Sequence, residues 1–171
     1  MGTDSIMSAA ADWYENTATR YGDIVREELA ARWNAWPSKA AEREAHEVIG
    51  ALLARQCSLA IGMAENMGVW NIHIGQLLLR AMADVHLTIA WIFIKPLERS
   101  RMFIHHGLGQ EKLLMEHLRS RKIREAQAKA MEQWIDSQRY TRLTTVNVGA
   151  WSDINLRQMA DEAGLIDWVQ I

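Results

Sequence analysis

An arginine and a histidine at short spacing on one helix can cut a phosphodiester. The guanidinium grips phosphate through a fork of donors, and an imidazole that titrates near neutral pH moves the proton. Two such pairs occur in the sequence: Arg80 and His86 with five residues between them, and Arg101 and His106 with four. At 100° per residue the first pair lies about 120° apart on its helix and could converge only across a groove or between two copies. Arg101 and His105 share a face, while His106 points elsewhere. Arg101, His105 and His106 are therefore the residues assigned to catalysis if the protein acts on RNA. A structural reading competes with this one. In it Arg80 belongs to a core ion pair, and the two adjacent histidines form a solvated helix end favoured by the helix dipole.

Metal chemistry finds less support. His105, His106, Glu111, Glu116 and His117 are dense, yet neither a Glu-x-x-His spacing nor an H-E-x-x-H motif occurs. Both the paired di-iron motif of carboxylate bundles and the zinc-protease helix are thus missing, and neither metal nor cofactor is expected. Cys57 is the single cysteine, which excludes an internal disulfide and a thiolate cluster. Among Leu53, Leu59 and Ile61 it reads as a small buried hydrophobe. The run LRSRKIREAQAK from Leu118 carries five basic residues without an interleaved aromatic, and reads as a solvated face. NLRQMADEAGL from Asn155 is similar to the first helix of a helix-turn-helix, but IDWVQI after it is too short and has no basic residue. No phosphate-binding glycine loop or nucleophile elbow is present.

The elements that must position these residues are helices. A chain of 171 residues fits one domain, residues 1–171. With 49% hydrophobic and 23% charged residues it has the composition of a packed globular protein. A net charge of −2 removes the broad basic face that nucleic-acid binding usually needs. The first residues have neither a basic start nor a long apolar core, so no signal peptide is read and the cytoplasm is the expected compartment. Two prolines and ten glycines are too few to punctuate a sheet. Helix is expected over 5–35, with Gly22 as a place where it can break, ended by Pro37, and again to about Asn66, with the uncharged stretch 56–64 buried on most sides.

Residues 69–95 form the most apolar segment and the expected centre of an up-down bundle. A membrane span would place Arg80 and Asp84 near the bilayer centre at roughly 2.5–3.5 kcal/mol each, so a core helix is the better reading. Arg80 and Asp84, four apart, are expected as a partly buried structural ion pair. His86 falls on the core face, and His73, Gln76, His86 and Trp91 are the candidates to line a small-ligand pocket. Pro96 stops this helix. The next is expected to bend at Gly107-Leu108-Gly109 and then run to about Ser137 on Leu114, Leu118, Ile123, Ala126, Ala130 and Trp134. At most a short strand is expected near 143–148. Asn155 with Gln158 can form a capping box and Gly164 suits the position after a helix, giving a short C-terminal helix at 156–163. The fold class is all-α, with four or five main helices and that short last one.

Three stretches together resemble a known family. They are Leu78-Leu79-Arg80 followed by Asp84; Lys95-Pro96-Leu97-Glu98-Arg99-Ser100-Arg101-Met102-Phe103 running to Gly107 and Lys112; and Trp151-Ser152 followed by Asn155 to Leu165. In this order they resemble an uncharacterised bacterial helical family, domain of unknown function 5677. The resemblance spans about residues 50–165 and implies an all-α bundle. It also implies Glu where Asp84 stands and a further C-terminal helix with a late histidine, so this chain reads as a shortened member. The Arg/His pattern is similar to that of HEPN ribonucleases, helical toxins that bring two motifs together by dimerising. The leading expectation is a helical interaction or regulatory module, homodimeric through apolar helix faces or bound to a protein partner, with no membrane. A metal-independent HEPN-like ribonuclease or defence component is the alternative and the only reading that involves RNA. A small-ligand bundle is the third.

Overall fold

The computed structural model describes residues 3–37, 39, 42–120, 125–142 and 152–169. Among the described residues there are six α-helices, two short 3-10 turns and no strand. Helix α1 spans Thr3–Ala35, runs unbroken through Gly22, and stops before Trp36-Pro37 because the residue preceding proline avoids α geometry. Helix α2 is Arg43–Glu65. A 3-10 turn at Met67–Val69 then hands the chain to Asn71, whose side chain accepts from His73 N at 3.2 Å and Ile74 N at 3.0 Å. That cap starts α3, Ile72–Ile94. Lys95 leaves helical geometry at φ −138°, and Pro96 opens α4, where a missing N–H costs nothing.

Helix α4 is the main departure from expectation. It runs from Pro96 to Ser120 with no bend at Gly107-Leu108-Gly109. Glycine costs about 1 kcal/mol inside a helix but does not break one that good helix formers continue. Here Leu108, Gly109 and Met115 are buried, which outweighs that cost. The chain instead begins a new helix, α5, at Glu125–Arg142. The buried hydrophobic side chains of the two are Leu108, Met115, Ala128 and Ile135, whereas Leu114 and Trp134, expected inside, face solvent. Arg119 and Glu132 pair across α4 and α5. The strand considered near 143–148 lies outside the described residues, as do Arg121, Lys122 and Arg124 of the basic run.

The core is built where α2, α3 and α6 meet: Val48, Ile49 and Leu52, then Val85, Ile89 and Ile92, then Met159. Ile49 and Ile92 are fully enclosed, each contributing roughly 1.5–3 kcal/mol of burial. Helix α1 lies antiparallel on α2. Near its start the Tyr14 hydroxyl donates to Ala64 O at 2.5 Å. Near its end Trp33 packs against His46 with ring centres 4.1 Å apart and planes tilted by 46°. Helix α6, Leu156–Glu162, has both bonds of the expected capping box, and Gly164 follows at φ +70°. A last 3-10 turn, Ile166–Val169, was not foreseen.

Candidate functional site

The polar residues of α3 divide differently from the projection. Arg80 and Asp84 do pair, at 4.0 Å, but the Arg80 side chain is 78% exposed and only Asp84 is half-buried, so the pair lies nearer the surface than expected. The reason lies in what covers α3. It packs on α2, α4 and α6, and its buried residues, Gly75 apart, all lie in the C-terminal part from Val85 to Ile92. His86 is likewise exposed rather than on the core face. His73 and Gln76 are exposed too, whereas Trp91 is buried, so these four residues form no common pocket.

Trp91 belongs to a cluster that sequence reasoning missed. The Arg99 guanidinium, 7% exposed, lies over the Trp91 indole with its carbon 3.7 Å from the ring centre. It donates to Trp91 O at 2.6 Å and to Glu162 Oε2 at 2.7 Å. The indole N–H donates to the same carboxylate oxygen at 2.7 Å. One carboxylate thus pins α6 to α3 and α4 together. The only sequence signal was Arg99 next to a proline turn after Trp91; Glu162, 71 residues from Trp91, left none.

Arg101, His105 and His106 occupy α4 near the start of α2. Arg101 Nη2 is 3.5 Å from Glu44 Oε1. The imidazole of His105 is half-buried, and burial first and the Arg101 charge second hold it below the usual histidine range. His106 is half-buried as well. Burial pushes the Glu111 carboxyl and the Cys57 thiol upward, and Cys57 is half-buried as a weakly reactive thiol. No group of three His, Cys, Asp or Glu among the described residues could hold a metal ion.

An apolar concavity lies elsewhere. A groove of about 380 Å³ opens between α1 and α3 over α2, lined by Trp13, Tyr14, Tyr21, Met63, Trp70 and Leu79 among others. Three of its polar groups bond within the chain: Tyr14 Oη donates to Ala64 O, Thr17 Oγ1 to Trp13 O at 2.7 Å, and Trp70 Nε1 to Met63 O at 2.6 Å. The rest of the lining is mostly apolar. Towards the far end of the two helices Trp36 and Phe93 meet, ring centres 5.9 Å apart. The uncharged stretch of α2, expected to be buried on most sides, is partly open: Ala60 beside the groove is buried, while Ser58 and Gly62 on the opposite side of the helix are exposed. Large apolar side chains around the opening face solvent, among them Trp13, Trp70, Ile72, Leu79 and Phe93.

A family model, described as a family of unknown function (DUF5677), matches residues 46–171. The chain belongs to that family. The matched stretch begins in α2 and takes in α3 to α6, with the Trp91–Arg99–Glu162 cluster inside it. Helix α1 precedes it, so the groove of this DUF5677 member is walled on one side by a helix outside the family's stretch. No curated protein and no solved structure matches the chain.

Proposed function

We propose that this DUF5677 member is a helical interaction module of the cytoplasm that works by self-association through the open side of α1, α2 and α3. The observation that carries this reading is the apolar groove and its rim. Contiguous exposed apolar surface around a concavity marks a place where another macromolecule binds. The groove's lining is mostly apolar, and its Tyr14, Thr17 and Trp70 polar groups already bond within the chain, so a partner gains chiefly by excluding water. Helices α2 and α3 are long and apolar enough to cross a membrane. Against a span stand Arg80, Asp84, Gln76, His73 and His86, which would have to enter lipid. Sedimentation equilibrium of the full chain should give a dimer. Trp13→Glu, which places a charge at the groove's edge, should shift it towards monomer while the helical circular dichroism is unchanged. A monomer at every concentration, or flotation with neutral lipid vesicles, would reject the reading.

A HEPN-like ribonuclease is the second reading, and one observation favours it. Arg101 and His105 share a face of α4, and the depressed imidazole is mostly neutral at physiological pH, the form a general base needs. Cleavage of structured or single-stranded RNA without divalent metal, abolished in Arg101→Ala, His105→Ala or His106→Ala, is the expected result under this reading. Wild-type protein that leaves RNA intact removes it.

A further inference from the structure

Small residues hold the groove between α1 and α3 open. On α1, Trp13, Thr17 and Tyr21 follow at intervals of four, with Tyr14 and Ala18 beside them, so one side of the helix forms a continuous wall. Ala60 and Ala64 of α2 lie below, and Leu79 and Met82 of α3 stand opposite. Ala18, Ala60 and Ala64 bring only a methyl group each, and the volume of about 380 Å³ is what they leave. Sites for small molecules span roughly 300–1,000 Å³. At 1.5 Å per residue the α1 wall from Trp13 to Tyr21 is about 12 Å long.

Part of that wall is fixed before any ligand arrives. Helix α2 ends at Glu65, so the carbonyls of its last turn lack helical donors. Tyr14 Oη donates to one of them, Ala64 O, at 2.5 Å, and Trp70 Nε1 to another, Met63 O, at 2.6 Å. The two rings also cross edge to face with centres 4.5 Å apart. Their polar tips are spent on the helix end, so both rings offer the groove carbon at set positions, and a ligand need not order them. Met63 and Met82 are unbranched and adapt to the outline of what enters.

Charge decides the class of occupant. Among the described residues, none that lines the groove is charged. Glu65, next to Ala64, is already paired with Arg26 at 2.9 Å. A charged ligand would leave water for a site without a counter-charge, which is costly, whereas a neutral apolar one gains by leaving it. Four rings, Trp13, Tyr14, Tyr21 and Trp70, favour an aromatic body through offset or edge-on contact. Water competes poorly, because the polar groups of Tyr14, Thr17 and Trp70 are bonded within the chain.

We propose that the groove between α1 and α3 is a binding site for a small, neutral, aromatic molecule. This goes beyond the self-association reading and does not depend on it: a second copy would cover the rim, whereas the ligand fills the space beneath. The test titrates the full chain with two fluorescent probes of one ring skeleton, neutral N-phenylnaphthylamine and its sulfonated form, anilinonaphthalenesulfonate. The neutral probe should saturate at one molecule per chain, and the sulfonate should bind about tenfold more weakly or worse. Thr17→Phe fills the groove from α1 and Ala64→Leu fills it from α2, and each should weaken the neutral probe by about tenfold or more. Thr17 is exposed, so its variant keeps the test open should leucine at the half-buried Ala64 prevent folding, and thermal melting identifies the folded variants. A neutral probe that never saturates, or that binds folded Thr17→Phe as it binds wild type, overturns the site. Equal binding of the two probes overturns the neutral class assigned to the ligand. Sedimentation equilibrium of the same samples keeps the two readings apart. A saturable probe on a chain that stays monomeric rejects self-association and supports the site, and a dimer that takes up no probe does the reverse.

Discussion

Arg99 and Arg80 each pair with a carboxylate, but their surroundings differ in what the pairing is worth. Arg99 is buried beneath an indole plane, and its partner Glu162 is 45% exposed. Removing Glu162 strands a guanidinium and an indole N–H in a largely dry site, so Glu162→Ala should cost about 2 kcal/mol. Arg80 and Asp84 are both solvated, and Asp84→Ala should change stability by less than about 0.5 kcal/mol. Urea unfolding of the two variants should rank them in that order, and equal losses would contradict the burial described. The Arg80–Asp84 pairing was legible because i,i+4 neighbours share a face whatever else the chain does. Its exposure was not, since that depends on where α1 and α6 settle. The Arg99–Glu162 bond joins residues 63 apart and depends on α6 docking, which no local pattern encodes.

Helix ends were legible wherever a residue has one mechanical effect. Pro37 and Pro96 end helices, Asn155 with Gln158 caps one, and Gly164 supplies the left-handed residue after it. The glycines of α4 misled because glycine weakens a helix without forbidding it, and tertiary burial decides. Gly50 and Gly62 of α2 show the same division of roles. A Cβ at Gly50 would overlap the Trp33 ring, whereas a Cβ at Gly62 meets nothing within 4 Å. Alanine gains about 1 kcal/mol of helix propensity at either position. At Gly50 the clash forces Trp33 out of its seat, and overpacking of this kind costs roughly 1–3 kcal/mol. Gly62→Ala should therefore raise the melting temperature and Gly50→Ala lower it. Two shifts of the same sign would mean that α1 is not seated through Trp33.

The whole fold responds to acid through groups it half-buries. His105 has its pKa lowered from 6.5 by burial and then by Arg101, so folding favours its neutral form. Its contribution is complete above pH 6.5 and is lost as pH falls through the lowered value in the folded protein. Glu111 has the opposite sign. Its pKa is raised from 4.5 by burial, so its contribution is complete below pH 4.5 and is lost as pH rises through the raised folded value. Calorimetric melting temperatures should fall as the pH drops below about 6.5, and His105→Gln should flatten that part of the curve. An unchanged slope in the variant would place the responsible proton elsewhere. On the same scale, α1 stands apart, since it precedes the stretch 46–171 shared with the family yet presses Trp33 against Gly50 inside that stretch. The two features bind each other's history. A relative without a helix like α1 has no steric reason to hold glycine at the position of Gly50, and alanine there would give it a firmer α2. Once alanine is fixed, a later α1 could not seat a tryptophan in the same place. Glycine at this position should therefore travel through the lineage together with the N-terminal helix, and comparison of relatives with and without that helix would reveal whether it does.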